Sequence, residues 1–209
     1  MYKEKRTVNF NDLKFEKRED GGVSLSGHAA VFDEIGEGWG FDEKIAPGAF
    51  RESLKNDDIR ALWNHDTSIV MGRKKAGTLE LREDDRGLHV EISPPDTEAM
   101  RGFIASIERG DVDQMSFGFE PVREEWDDVS DRNDLKIPLR TLLEVRLFEV
   151  SPVTFPFYEG TDIALRNFEL RKKEEGGFSG SRVYVMRKKL EAKNRIANLN
   201  NLSYGGSNE

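Results

Sequence analysis

Three polar residues far apart in the chain are of the types that acyl transfer needs. They are His65 in Leu62-Trp-Asn-His-Asp66, Ser116 in Gln114-Met-Ser-Phe-Gly-Phe119 and Glu149 in Leu147-Phe-Glu-Val-Ser-Pro152. A serine hydroxyl becomes nucleophilic when an imidazole takes its proton, and a carboxylate on the other ring nitrogen fixes the tautomer and steadies the charge that develops. The chain order His, Ser, acid differs from the orders of chymotrypsin, subtilisin and the α/β-hydrolases. Any imidazole base has to be one of three histidines, His28, His65 or His89. His28 lies inside the strand-like Ser26-Gly-His-Ala-Ala30 and reads as surface or partner-facing. His89 alternates away from the apolar face of its segment and reads as solvent-facing. His65 ends an apolar run between Asn64 and Asp66, two residues that suit a strand-end turn and can orient a ring.

Ser116 is one of 13 serines, and a serine in a strand is commonly just a small residue. Its setting separates it from the others: Met115, Phe117 and Phe119 alternate with Ser116, Gly118 and Glu120, giving one strongly apolar face and one small or polar face. Gly118 is expected to leave room for a substrate backbone beside the hydroxyl. There is no G-x-S-x-G, so the serine is presented from a strand rather than from a nucleophile elbow. Glu149 shares its strand face with Val145 and Leu147, where a half-buried carboxylate is costly unless a donor such as an imidazole N–H meets it. Asp66 competes for that third role, but adjacent residues rarely face each other as a triad requires, which favours Glu149.

Other chemistries have less to stand on. Without cysteine there is no disulfide framework, Cys-ligated zinc or thiol nucleophile. The sequence has no H-E-x-x-H, no phosphate-binding P-loop and no strand-to-helix G-x-G-x-x-G, which disfavours metalloprotease, NTPase and dinucleotide readings. Among 40 Asp and Glu residues, a glycosidase pair cannot be singled out. A net charge of −8 argues against a nucleic-acid binder as a whole.

The elements that must position these residues are mostly strands. Val8 to Lys17 and Val23 to Phe32 read as a hairpin across Glu19-Asp-Gly-Gly22, and Leu79 to Leu81 with Leu88 to Ile92 as another across Asp84-Asp-Arg-Gly87. Gly36 to Gly40 reads as a loop, Pro47 to Lys55 as a short helix and Ile59 to Trp63 as a buried strand. Met100, Phe103, Ile104 and Ile107 mark a helix that starts after Ser93-Pro-Pro-Asp-Thr97 and stops at Gly110. Arg123 to Lys136, with six carboxylates against three basic residues, reads as a solvated loop before the β-rich run Ile137 to Val150. The fold class expected is mostly β with peripheral helices (α+β), as a small closed or partly closed β-barrel. We expect one domain over residues 1–166, a flexible linker over 167–181 and a basic, partly helical tail over 182–209. From Phe178 to Glu209, six basic residues face two acidic ones, a net +4 that leaves −12 for the first 177. Apolar stretches are far short of a bilayer span and the N-terminus leads into no signal-like apolar region, so a soluble protein is expected.

Taken with Glu43-Lys-Ile-Ala-Pro-Gly-Ala-Phe50, the segments around His65, Ser116 and Glu149 and the helix leading to Gly110 resemble, in order and spacing, the prohead maturation serine proteases of tailed bacteriophages. The resemblance covers residues 8 to 165. It implies a fold similar to the herpesvirus assemblin proteases, with His65 as general base and Ser116 as nucleophile. Glu149 carries over as the third member, where the herpesvirus enzymes place a second histidine. It also implies a serine endopeptidase that, packaged inside the prohead in the host cytoplasm, cuts the scaffolding region from the major capsid protein and cuts itself. Its expected partners are the capsid protein and a second copy of the chain, with no cofactor, metal, membrane or direct nucleic-acid contact. The tail would direct packaging or be removed by self-cleavage. A different class of reading is a non-catalytic assembly protein that keeps the protease fold; a small-molecule hydrolase lacks an apolar lid or elbow signal.

Overall fold

Period-two alternation of apolar and polar residues puts most of this chain into strands. The computed structural model describes residues 4–8, 13–18, 22–37, 41–132 and 135–155. All lie within one compact unit, Met1–Asp162. The expected linker and tail, residues 167–181 and 182–209, lie outside the described residues.

One sheet runs in the order β1 (Glu4–Val8), β10 (Gln114–Arg132), β11 (Leu135–Val153), β5 (Asp42–Ile45) and β4 (Gly36–Glu37). Further along β11, β6 (Arg60–Trp63) adds in parallel, and β7 (Asp66–Arg73) pairs antiparallel with β6. A second sheet runs β2 (Lys14–Lys17), β3 (Val23–Val31), β9 (Gly87–Ile92), β8 (Leu79–Glu83). The chain is therefore mostly β with few helices. Among the described pairings neither sheet closes on itself, and the strands form two sheets.

Both expected hairpins form, as β2 with β3 and β8 with β9, but the first is shorter than expected: Val8 belongs to β1 and pairs with Met115 of β10. The expected loop at 36–40 begins as the short strand β4, with 38–40 outside the described residues. The helix expected from Pro47 opens as turns and becomes α1 (Arg51–Asn56) only after Phe50. α2 (Glu98–Glu108) starts as expected, with Thr97 Oγ1 accepting from Met100 N at 3.2 Å, and buries Met100, Ile104 and Ile107. It stops where Gly110 takes φ +81°, a conformation that costs glycine little.

Met115, Phe117 and Phe119 point into the apolar core, where Phe117 meets Phe50 at 5.6 Å and Phe119 at 5.0 Å between ring centroids. Their alternation turns Ser116 and Gly118 to the opposite face of β10. Phe103 of α2 stacks on Trp63 at 4.7 Å, anchoring the end of β6 beside His65.

Arg123 to Lys136 is a correction to the sequence reading. It is the outer part of a long hairpin, β10 running to Arg132 and β11 resuming at Leu135. Beneath it lies a buried ionic cluster. Arg140 donates to Glu4 Oε2 at 2.7 Å and Glu43 Oε2 at 3.0 Å, its Nε donates to Glu124 Oε2 at 2.7 Å, and Arg6 donates to Glu43 Oε1 at 2.5 Å. Burial alone would lower the Arg140 pKa, but Glu43, Glu4 and Glu124 push it above the ordinary guanidinium range. Arg140→Ala removes the guanidinium that Glu4, Glu43 and Glu124 share, while Arg6 stays on Glu4 and Glu43. We expect it to cost about 3–5 kcal/mol, read as a lower urea midpoint.

His28 and His89 also differ from expectation. They are partners across β3 and β9, their rings edge-to-face at 5.3 Å, and His28 Nε2 lies 3.0 Å from Asp84 Oδ2. The His28 side chain is only 11% exposed. His89 Nδ1 is buried, and burial, reinforced by Arg82 and His28, holds its pKa below the usual imidazole range. The two rings cover each other, which strand alternation alone does not reveal.

Candidate active site

The turn after β6 places His65 in an unfavourable backbone conformation. Asn64 has φ +50° and His65 φ +61°, a left-handed region uncommon for residues other than glycine. Contacts from the end of β11 hold it there. Asn64 N donates to the Pro152 carbonyl at 3.0 Å, Asn64 Nδ2 to Thr154 Oγ1 at 3.1 Å, and Thr154 N to Asn64 Oδ1 at 2.8 Å. His65 N donates to Ser151 Oγ at 3.3 Å.

Held this way, the His65 ring turns inward. Its side chain is 7% exposed, and Nδ1 lies 2.7 Å from Glu149 Oε1. A carboxylate only accepts there, so Nδ1 carries a proton, and in the neutral ring Nε2 is the nitrogen with the lone pair. Nε2 is buried and has no hydrogen-bond partner among the described residues. Glu149 Oε2 in turn accepts from the Ser151 hydroxyl at 2.6 Å.

Asp66, the alternative acid, is exposed and occupied elsewhere. Its Oδ1 accepts from Ser68 Oγ at 2.6 Å and Ser68 N at 2.8 Å, and these bonds hold its pKa below the usual carboxylate range. The geometry thus brings Glu149, not Asp66, to the imidazole.

Ser116 is fully buried and sits directly opposite Ser151 across β10 and β11, a separation of about 5 Å between backbones. Its hydroxyl does not bond to His65; it donates to the Arg6 carbonyl of β1 at 2.7 Å. His65 and Glu149 are therefore in direct contact, while Ser116 lies one strand away with its Oγ turned toward the opposite neighbour.

Gly118 pairs with Glu149, and a Cβ built on it would meet Glu149 Oε1 at 2.2 Å. The space expected for a substrate backbone is filled instead by the carboxylate. Only the far end of a flexible side chain would have to move. Gly118→Ala should therefore push Glu149 off His65 and Ser151, and the loss of those two bonds to a mostly buried carboxylate should lower the urea midpoint.

Sequence reasoning missed Ser151, although a hydroxyl two residues after Glu149 necessarily shares its strand face. It also missed the Arg6 carbonyl, which no side-chain pattern can reveal. Among the described residues no group of His, Asp and Glu is arranged to hold a metal ion, and no helix is long and apolar enough to cross a membrane.

The family model for the caudovirus prohead serine protease matches residues 11–175, a span containing His65, Ser116 and Glu149. The chain belongs to that family. Prohead proteases of this kind are serine peptidases of tailed phages, and β1 lies ahead of the matched residues. Among solved structures, the capsid assembly protease of bacteriophage T4 is similar at 9% identity with a TM-score of 0.48, over 72% of this chain and 98% of that one. No curated protein matches.

Proposed function

We propose that this prohead protease family member is an active serine endopeptidase with Ser116 as nucleophile, His65 as general base and Glu149 as the acid that orients the imidazole. The observation that carries the reading is His65, with Nδ1 on Glu149 at 2.7 Å and Nε2 buried and unpartnered. A buried acceptor without a donor is costly, and a serine hydroxyl would satisfy it.

For reaction, the Ser116 hydroxyl leaves the Arg6 carbonyl and turns toward Nε2. As Oγ attacks the peptide carbonyl, its proton passes to Nε2, and Glu149 stabilises the imidazolium. Collapse of the tetrahedral intermediate breaks the C–N bond while Nε2 returns the proton to the leaving amine. Water, deprotonated by the same nitrogen, then attacks the acyl group, and Nε2 returns the proton to Ser116 Oγ as the ester C–O bond breaks.

The substrate in this reading is the scaffolding region of the major capsid protein, together with the enzyme's own chain, inside the prohead in the host cytoplasm. Residues 1–166 form the protease domain, 167–181 a linker and 182–209 a basic tail that directs packaging or is cut away. Co-expression of the full chain with its capsid protein, wild type against Ser116→Ala, tests it by mass measurement of both proteins. Shortened capsid subunits in the wild type alone support the proposal; identical masses reject it. A truncation at Phe168 tests the tail, since unchanged incorporation into proheads and an intact C-terminus would reject both of its roles.

A further inference from the structure

We infer that Ser151 is a positioning residue that sets the geometry of the acid and the base at once, with Asn64 as its second anchor. The inference rests on the roles proposed for His65 and Glu149.

Ser151 is fully buried, so its hydroxyl must find partners within the protein. Those it has belong to the two residues whose relative placement matters. It donates to Glu149 Oε2 at 2.6 Å, and its oxygen accepts the backbone N–H of His65 at 3.3 Å. A hydroxyl has one proton and two lone pairs, so a single atom can join the carboxylate to the base-bearing turn.

The carboxylate torsion of a glutamate is soft, with a broad two-fold profile. Pinning Oε2 fixes Oε1 as well, and Oε1 is the oxygen that meets Nδ1. Gly118 contributes no side chain to hold the carboxylate from below. On the other side, the Ser151 oxygen is an acceptor for a residue held at φ +61°, and Asn64 adds bonds to Pro152 and Thr154 on the same strand end. Strand alternation places Ser151 on the face of Glu149, and register places it opposite Ser116. It therefore touches both the acid and the base-bearing turn and lies opposite Ser116 in the register.

The test uses the full chain and a readout that does not need turnover. In protein with ¹⁵N-labelled histidine, the Nδ1 proton shared with Glu149 should give a downfield resonance that disappears in His65→Gln. We expect Ser151→Ala to broaden or abolish that resonance and Ser151→Thr, which keeps the hydroxyl, to retain it. Labelling of Ser116 by a fluorophosphonate should slow roughly 10- to 100-fold in Ser151→Ala and recover in Ser151→Thr, by analogy with the hydrogen-bond partners that orient metal-ligating histidines. Asn64 is exposed and glycine keeps its backbone conformation, so Asn64→Gly should fold even if Ser151→Ala does not. It should broaden the same resonance. An unchanged resonance in Ser151→Ala, or in Asn64→Gly where the alanine variant fails to fold, overturns the inference, as does absence of the resonance from the wild type. A wild type that shows the resonance and its loss in Ser151→Ala, but takes up no phosphonate, instead rejects the protease reading and leaves the positioning contact standing.

Discussion

Ser116→Ala and His65→Ala should each abolish cleavage of the capsid protein, lowering kcat by roughly 10⁶-fold, and the double variant should be no slower than either. The equality follows from what each residue supplies. Without Oγ the imidazole has nothing to deprotonate, and without Nε2 the hydroxyl keeps its proton. In both cases what remains is water attack on a bound peptide. Neither change should unfold the chain: Ser116→Ala gives up one bond to the Arg6 carbonyl, worth about 1 kcal/mol, and His65 lies at a strand-end turn rather than inside the core cluster. The measurement is single-turnover cleavage of purified capsid protein, with urea midpoints as the check on folding. If His65→Ala kept more than a few per cent of wild-type turnover, another base would have to be found. His28 and His89 sit on the other sheet, bound up with Asp84 and with each other.

Residue type made the contact of His65 with Glu149 legible in the sequence, whereas Ser116 was singled out by its strand face and by motifs in the order and spacing of a known family, and its hydroxyl bonds to Arg6 instead of His65. With three histidines and one serine on a small-residue face backed by Met115, Phe117 and Phe119, few constellations were open. Glu149 could be favoured over Asp66 because a carboxylate in an apolar strand needs a donor, and the geometry supplies one. Features set by tertiary partners were not legible. Arg123 to Lys136 reads as a solvated loop because its charges mask a period-two strand. Glu124 and Trp126 are partly buried on the inner side, Glu124 on Arg140 and Trp126 against Phe41, while Arg123, Glu125 and Asp127 face water. Composition counts Glu124 as one more solvated charge; only Arg140, 16 residues later, makes it an interior one. The left-handed turn at Asn64 and His65 was hidden for the same reason, since its cause lies in Ser151, Pro152 and Thr154.

Glu149→Gln should keep the fold and lower kcat by up to about 10⁴-fold, the larger part of it through the tautomer. Both neighbours of the carboxylate donate to it: His65 Nδ1 at 2.7 Å and the Ser151 hydroxyl at 2.6 Å. An amide has only one oxygen to offer. If that oxygen faces Ser151, the NH₂ group confronts Nδ1 and forces the ring proton onto Nε2, where it blocks the very lone pair that must accept from Ser116. If it faces His65 instead, the Ser151 hydroxyl can rotate and accept from the NH₂, so the tautomer survives but the negative charge opposing the imidazolium is gone. The observed loss reports the balance between these two arrangements. Ser151→Ala and Glu149→Gln both act on the hydrogen bond between these two side chains, so Glu149→Gln in the Ser151→Ala background should not lose the full product of the two single effects. Asp66→Asn is the control, expected to stay within a few-fold of wild type because Asp66 is spent on Ser68 at the surface. A normal rate for Glu149→Gln beside a large loss for Asp66→Asn would transfer the orienting role to Asp66 and require the His65 turn to rearrange in solution.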